Sequence, residues 1–160
     1  MGSRSKNVEL AYIAGFLDGD GSLMLQLKKR SDSKRAIRFM VTICFYQDTR
    51  HEKNLYWIQE VLGIGYISKR KDRMTELRIN SYSQVENILQ KLLPYIQFKK
   101  LQACALLDAC CILSNTKFSK LTQKQLSKLV DLILVIQGEN YATKKKKTKK
   151  ELFKILGLTP

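Results

Sequence analysis

Between Ile37 and Phe45 every second residue is apolar: Ile37, Phe39, Val41, Ile43 and Phe45. Arg38, Met40, Thr42 and Cys44 lie between them, and Tyr46 follows. Side chains of a strand point alternately to its two faces, so this period of two specifies a strand with one buried face. The run from Ser22 to Arg30 alternates in the same sense. Leu23, Leu25 and Leu27 are apolar, Ser22, Gln26, Lys28 and Arg30 are polar, and Met24 is the exception. With Ser31-Asp32-Ser33-Lys34 as the turn, the two runs form a long antiparallel hairpin. A slip of one residue would turn every apolar side chain to solvent, so the register is strongly specified.

The rest of the chain repeats this plan. Val8 to Asp20 reads as a helix that Gly21 is placed to stop. Arg50 to Leu62 suits a second helix, broken by Gly63 and Gly65. A second hairpin runs from Tyr66 to Arg70, turns at Lys71-Asp72-Arg73 and returns from Thr75 to Asn80, with Ile67, Leu77 and Ile79 inward. Helices are expected over Ser83–Leu92, Lys99–Leu113 and Thr122–Ile136. A lysine-rich run from Lys144 to Lys150 then precedes a short apolar end, Leu152 to Leu158. Helix-strand-strand occurs twice, which predicts an α+β fold: one four-stranded antiparallel sheet with its helices on a single face. A length of 160 residues is most simply one domain, here 7–143, followed by a basic segment with a short terminal helix, 144–160.

Such a sheet leaves its other face open, and the alternation says which residues it carries. They are Ser22, Met24, Gln26, Lys28, Arg30, Arg38, Met40, Thr42, Cys44, Tyr46, Tyr66, Ser68, Arg70, Glu76, Arg78 and Asn80. Here composition matters. Lys and Arg total 29 against 14 Asp and Glu, a net charge of +15. That excess favours a polyanionic partner, because neutralising phosphates releases condensed counterions. A two-stranded ribbon fits the major groove of DNA, and Arg, Gln and Asn suit the edges of guanine and adenine. Lys144, Lys145, Lys146 and Lys147 carry no base-reading chemistry and are expected to touch phosphates.

Other classes are disfavoured. No apolar run approaches the roughly 20 residues that span a bilayer, and the first residues, Met1 to Lys6, have neither the apolar core of a secretory signal nor a myristoylation pattern. Cys44, Cys104, Cys110 and Cys111 lack metal-ligand spacing and read as reduced thiols of an intracellular protein.

The first helix carries the unusual chemistry. At about 100° per residue, Ala11, Ala14, Gly15, Asp18 and Gly19 share one face, apart from Leu10, Ile13 and Leu17. Glycine inside a helix costs up to about 1 kcal/mol relative to alanine. Close approach of a second backbone would explain tolerating two, and an identical helix from another copy is the simplest partner. Asp20 stands at the negative end of the helix dipole, an unfavourable place for a carboxylate unless a hard cation such as Mg²⁺ binds there. Two copies would bring two Asp20 side chains together, and metal ions held there could act on a phosphodiester.

Ile13-Ala14-Gly15-Phe16-Leu17-Asp18-Gly19-Asp20-Gly21, continued by Ser22, resembles the LAGLIDADG motif, and the order of elements that follows resembles that family's across nearly the whole chain. The likeness is to single-motif homing endonucleases encoded in algal organelle introns. It implies the αββαββα fold with a saddle-shaped sheet in the major groove, a homodimer, an organelle location, and metal-dependent double-strand breaks that leave 3′ overhangs. Double-stranded DNA is the implied partner, with no membrane and no small-molecule substrate. Mg²⁺ is the implied cofactor, and Ca²⁺ or Mn²⁺ could stand in its place.

Site residues carry over one at a time. Asp20 matches the metal-binding aspartate, joined by Gly19 at the helix end. Gln47 matches the polar residue that orients water, and Lys99, by its spacing from Pro94, matches the lysine near the scissile phosphate. His51 stands where close relatives often place arginine. Asp18 is expected to cap or pair at the helix interface and not to bind metal. The alternative function is a non-cutting intron RNA maturase or nucleic-acid-binding protein on the same fold.

Overall fold

The computed structural model describes residues 5–30, 36–141 and 143–159. The expected turn at Ser31–Lys34 lies outside the described residues. Helix α1 (Lys6–Asp20) passes without a loop into β1 (Gly21–Lys29). Gly21 makes this junction feasible: a Cβ there would stand 2.5 Å from Leu17 Cδ1 and 3.0 Å from the Leu17 carbonyl oxygen. The Gly21 N–H donates to that carbonyl and closes the helix. The second strand, β2 (Ile37–Asp48), is followed by a 3₁₀ turn at Thr49–His51 and by α2 (Lys53–Leu62). Gly63, at φ 70°, ends α2 in the left-handed conformation that glycine adopts without strain. Strands β3 (Tyr66–Lys69) and β4 (Met74–Ile79) form the second hairpin, and α3 (Tyr82–Leu92), α4 (Lys100–Asn115), α5 (Gln123–Glu139) and α6 (Lys149–Leu156) follow.

The sheet is antiparallel throughout, in the order β1-β2-β4-β3. Ser22 stands opposite Cys44 and Lys28 opposite Arg38, while Tyr46 and Ser68 both stand opposite Glu76. The strands therefore pair with like faces together, as the alternation predicts. Leu23, Leu25, Leu27, Phe39, Val41, Ile43, Phe45, Leu77 and Ile79 are buried, and they share one core with Leu10, Ile13 and Leu17 of α1. Burying a side chain such as Ile43 contributes about 1.5–3 kcal/mol, and Ile43, Phe39 and Phe45 are all but fully enclosed. Val85 and Leu89 of α3, Leu106 of α4 and Ile133 of α5 complete that core.

Some boundaries differ from the sequence expectation. β2 runs three residues past Phe45, to Asp48, because Tyr46, Gln47 and Asp48 pair with Glu76, Thr75 and Met74. The helix expected from Arg50 begins at Lys53, since Asp48 accepts the Arg50 N–H and starts a 3₁₀ turn first. The basic segment ends in α6, capped by Thr148 and Glu151 in a reciprocal box. Leu152 and Phe153 of α6 join the same core, so the segment from 144 onward is packed to the rest through its helix. Among the described residues, no helix is long and apolar enough to cross a membrane.

Candidate active site and nucleic-acid interface

The site is built where α1 ends. Asp18, 7% exposed, turns inward instead of outward. Its Oδ2 accepts the N–H groups of Gln97 at 2.6 Å and Phe98 at 3.2 Å, and its Oδ1 accepts that of Lys99 at 3.0 Å. These donors lead into α4, whose first turn has N–H groups without helical partners and the positive end of the dipole. One carboxylate thus fastens the start of α4 to the end of α1. The Lys99 ammonium in turn donates to the Asp18 carbonyl oxygen. Two residues on, Asp20 is exposed.

Gln47 approaches the same end by way of the sheet. Gly21, next to Asp20, pairs with Phe45, and Gln47 lies two residues further along β2. Its Oε1 accepts the Asp48 N–H at 2.9 Å. Gln47 also lines a hollow with Tyr12 and Phe16 of α1 and Asn54 and Trp57 of α2. Beside it, Arg50 grips Asp48 with two hydrogen bonds of 3.0 Å. The Arg50 guanidinium, with the Arg50 N–H, holds the Asp48 carboxyl down at about 2. Sequence reasoning did not single out this pair, although two opposite charges two residues apart at a strand end were visible. His51 is exposed in the adjacent 3₁₀ turn.

The donor set at the helix end is hard and small. No group of three or more His, Cys, Asp or Glu side chains is assembled among the described residues. Asp20 provides one exposed carboxylate, and the last turn of α1, with Gly19, provides backbone carbonyl oxygens. Mg²⁺ is commonly held in this manner, by one or two carboxylates with the remaining positions taken by water and phosphate oxygens. The residues present therefore fit a hard divalent ion that draws its other ligands from outside this chain.

The small-residue face of α1 divides in two. Among the described residues, a Cβ built at Gly15 or Gly19 meets nothing within 4 Å, Ala11 is half-buried, and Tyr12 beside them is 64% exposed. Ala14 and Asp18, expected on that same face, are covered by the chain's own core. This corrects the helical-wheel expectation: α1 buries Leu10, Ile13, Ala14, Leu17 and Asp18 as one stripe. The open face is Val8, Ala11, Tyr12, Gly15 and Gly19.

The outer face of the sheet is a hydrogen-bonded surface. Ser22 meets the Tyr46 hydroxyl at 2.9 Å, Thr42 donates to Asn80 at 3.0 Å, and the Asn80 amide donates to the Tyr66 hydroxyl at 2.9 Å. Glu76 accepts from Arg70 at 3.0 Å and from Arg78 at 3.1 Å. Lys28, Arg30, Arg38, Tyr66 and Arg70 are exposed, and Met24, Gln26, Met40, Tyr46, Ser68, Arg78 and Asn80 are half-buried. Three residues expected to face a nucleic acid do not reach the surface. Thr42, Cys44 and Glu76 are buried, and burial pushes the Cys44 thiol up to about 11. Lys144, Lys145, Lys146 and Lys147 are all exposed. Lys147 exchanges backbone hydrogen bonds with the Gln137 side chain at 3.1 and 3.2 Å. Lys145 and Lys147 share a hollow with Gln26 and Lys28, so this segment lies along the β1 edge of the sheet.

The DNA endonuclease I-CvuI of Chlorella vulgaris is 36% identical to this chain over 110 residues, which are 69% of the chain and 68% of that protein. I-CreI of Chlamydomonas reinhardtii, also a DNA endonuclease, is 28% identical over 103 residues, 64% of the chain and 63% of that protein. A crystal structure of the homing endonuclease I-CvuI on the I-CreI target in the presence of Mg matches with a TM-score of 0.83 at 28% identity, covering 95% of this chain and 94% of that one. The archaeal intron-encoded homing endonuclease I-Vdi141I, complexed with DNA, shares the fold at a TM-score of 0.80 and 22% identity, over 96% of this chain and 97% of that one. The model of the LAGLIDADG endonuclease family matches residues 13–112. The αββαββα order, the motif helix and that match place this chain in the LAGLIDADG endonuclease family.

Proposed function

We propose that this protein is a site-specific homing endonuclease that acts as a homodimer and uses a divalent metal, Mg²⁺, to make double-strand breaks with 3′ overhangs in a long DNA target. The observation that carries this reading is the double tie between Asp18 and Lys99, which brings a cation to the helix end that presents the Asp20 carboxylate. The relatives are DNA endonucleases, and I-CvuI has been solved on DNA with Mg and with Ca. They come from two algae, and an organelle location for this protein rests on that likeness.

The residues divide the work as follows. Asp20, with the carbonyl of Gly19, offers oxygen ligands. When bound, the metal supplies charge neutralisation at a phosphodiester and Lewis acidity. Lys99 uses one ammonium N–H on the Asp18 carbonyl and keeps others for a phosphate oxygen, where fixed positive charge favours the more anionic transition state. Gln47 orients the attacking water by hydrogen bonding. The basic sheet face fixes the register of the duplex, and the open face of α1 pairs with its copy so that one site serves each strand. Incubating the protein with a library of long duplexes in Mg²⁺ and in EDTA tests the reading. Discrete double-strand cuts with 3′ overhangs, absent in EDTA, are expected. Tight selective binding with no cutting, or faster splicing of an intron RNA as the sole activity, would contradict it.

A further inference from the structure

We infer that Gln137 is a positioning residue for DNA binding: its side-chain amide holds the lysine segment 144–147 along the β1 edge before any duplex arrives. This rests on the DNA-binding reading above and adds a residue of the helical layer that acts through the lysines.

Lys144 to Lys147 has no reason of its own to hold a shape. The segment belongs to neither helix nor strand, and adjacent like charges repel and extend a chain. All four residues are exposed, so no core anchors them. Among the described residues, Lys144, Lys145 and Lys146 make no hydrogen bond with the rest of the chain. Order has to be imposed from the two ends.

At the near end the chain leaves α5 at Asn140, whose amide donates to the Leu23 carbonyl of β1 at 3.5 Å. Gln137, in the last turn of the same helix and half-buried, holds the far end. A primary amide carries both donor and acceptor, as a peptide unit does. Gln137 uses both on one residue: its Nε2 donates to the Lys147 carbonyl at 3.2 Å, and its Oε1 accepts the Lys147 N–H at 3.1 Å. A neighbouring antiparallel strand exchanges the same pair of bonds, and two bonds fix the direction of Lys147 as well as its place. Thr148 then caps α6, and Leu152 and Phe153 bury that helix in the core. The end of α5 thus closes a loop on itself, in which Lys145 and Lys147 share a hollow with Gln26 and Lys28. A free basic tail loses backbone freedom when it settles on phosphates, which opposes affinity. A segment already held loses less, so the same four charges bind more tightly.

Gln137→Ala tests this in the full-length protein. The probe is a random-sequence duplex in Ca²⁺, because phosphate contacts carry no sequence information. Alanine is a better helix former than glutamine, so urea denaturation should show the fold intact. Affinity should fall by about 5- to 30-fold, as the loss of two hydrogen bonds allows. The slope of log affinity against log salt should stay at the wild-type value, since no charge is removed. In a chain whose lysines at 144–147 are already alanine, Gln137→Ala should change affinity by less than about 2-fold. Without DNA, trypsin should cut the variant between Lys144 and Thr148 faster than wild type by a similar factor, since cleavage tracks the population of the opened segment. Wild-type affinity in Gln137→Ala, an equal loss in the alanine background, or unchanged tryptic cleavage would overturn the inference. Wild-type protein that binds no duplex at any salt removes the DNA-binding reading as well. Duplex binding that Gln137→Ala leaves untouched removes this inference alone.

Discussion

Lys99 is joined to Asp18 twice: its backbone N–H donates to Oδ1 at 3.0 Å and its ammonium donates to the Asp18 carbonyl. Through this pair a buried aspartate of the motif helix governs where a lysine 81 positions away stands. The exposed Asp20 stands two residues beyond this buried tie, at the end of α1.

Asp18→Ala should destabilise the fold by about 2–4 kcal/mol, since it strands three N–H donors near a helix start. Urea denaturation reads the loss. Cleavage should fall further than stability explains, with DNA binding largely kept, because Lys99 loses one of its two ties, the one from its backbone N–H to the carboxylate. Unchanged cleavage in the folded variant would separate Lys99 from the chemistry.

Gly15→Leu separates folding from assembly. Among the described residues nothing outside the helix's own turn lies within 4 Å of a Cβ at Gly15, and leucine is a better helix former than glycine by up to about 1 kcal/mol. The variant should fold at least as stably per chain but sediment as a monomer and cut poorly. An intact dimer would show that copies pair elsewhere.

The lysines beside the β1 edge should act without sequence preference. Replacing Lys144, Lys145, Lys146 and Lys147 by alanine should weaken binding to all duplexes alike. It should also flatten the salt dependence, by about 0.9 in log–log slope for each phosphate no longer neutralised. A titration of affinity against salt checks both. A loss restricted to the cognate target would contradict it.

The four thiols should react in a fixed order. Cys104 and Cys111 are exposed, while Cys44 and Cys110 are buried. Burial, with the Glu86 carboxylate hydrogen-bonded to it, raises the Cys111 thiol. A thiol reagent near pH 8 should label Cys104 first, Cys111 more slowly, and Cys44 and Cys110 only on unfolding. Burial raises Cys44 to about 11 and Cys110 to about 12 from the ordinary 9.0. The folded chain therefore holds these protons more tightly than the unfolded one. Stability that is complete below pH 9 should fall as pH rises through 11 and 12, and Cys44→Ala should blunt the fall. Denaturation series across that range would show it.

What could be read in advance was local. The alternation of Ile37 to Phe45 predicted the strand and its buried face, because with a period of two a one-residue slip would turn the whole apolar set outward. The end of α1 at Asp20 followed from Gly21. What failed depended on distant neighbours. A helical wheel groups Asp18 with Gly15 and Gly19, yet the donors that draw Asp18 inward come from Gln97, Phe98 and Lys99, far along the chain. Glu76 was assigned to the outer face correctly by parity, but its burial depends on two arginine arms folding over it. Parity gives the side of a sheet and says nothing of what covers a residue there.

The central claim concerns Asp20, and the direct measurement compares wild type with Asp20→Asn on one cognate duplex, reading binding in Ca²⁺ and cleavage in Mg²⁺ from the same preparations. Asparagine keeps the size and removes the charge of an exposed residue. Near wild-type binding and stability are expected, with cleavage lowered by at least about 100-fold, which corresponds to about 2.7 kcal/mol of lost transition-state stabilisation. Cleavage by Asp20→Asn at the wild-type rate would contradict the claim and move the catalytic metal away from the end of α1.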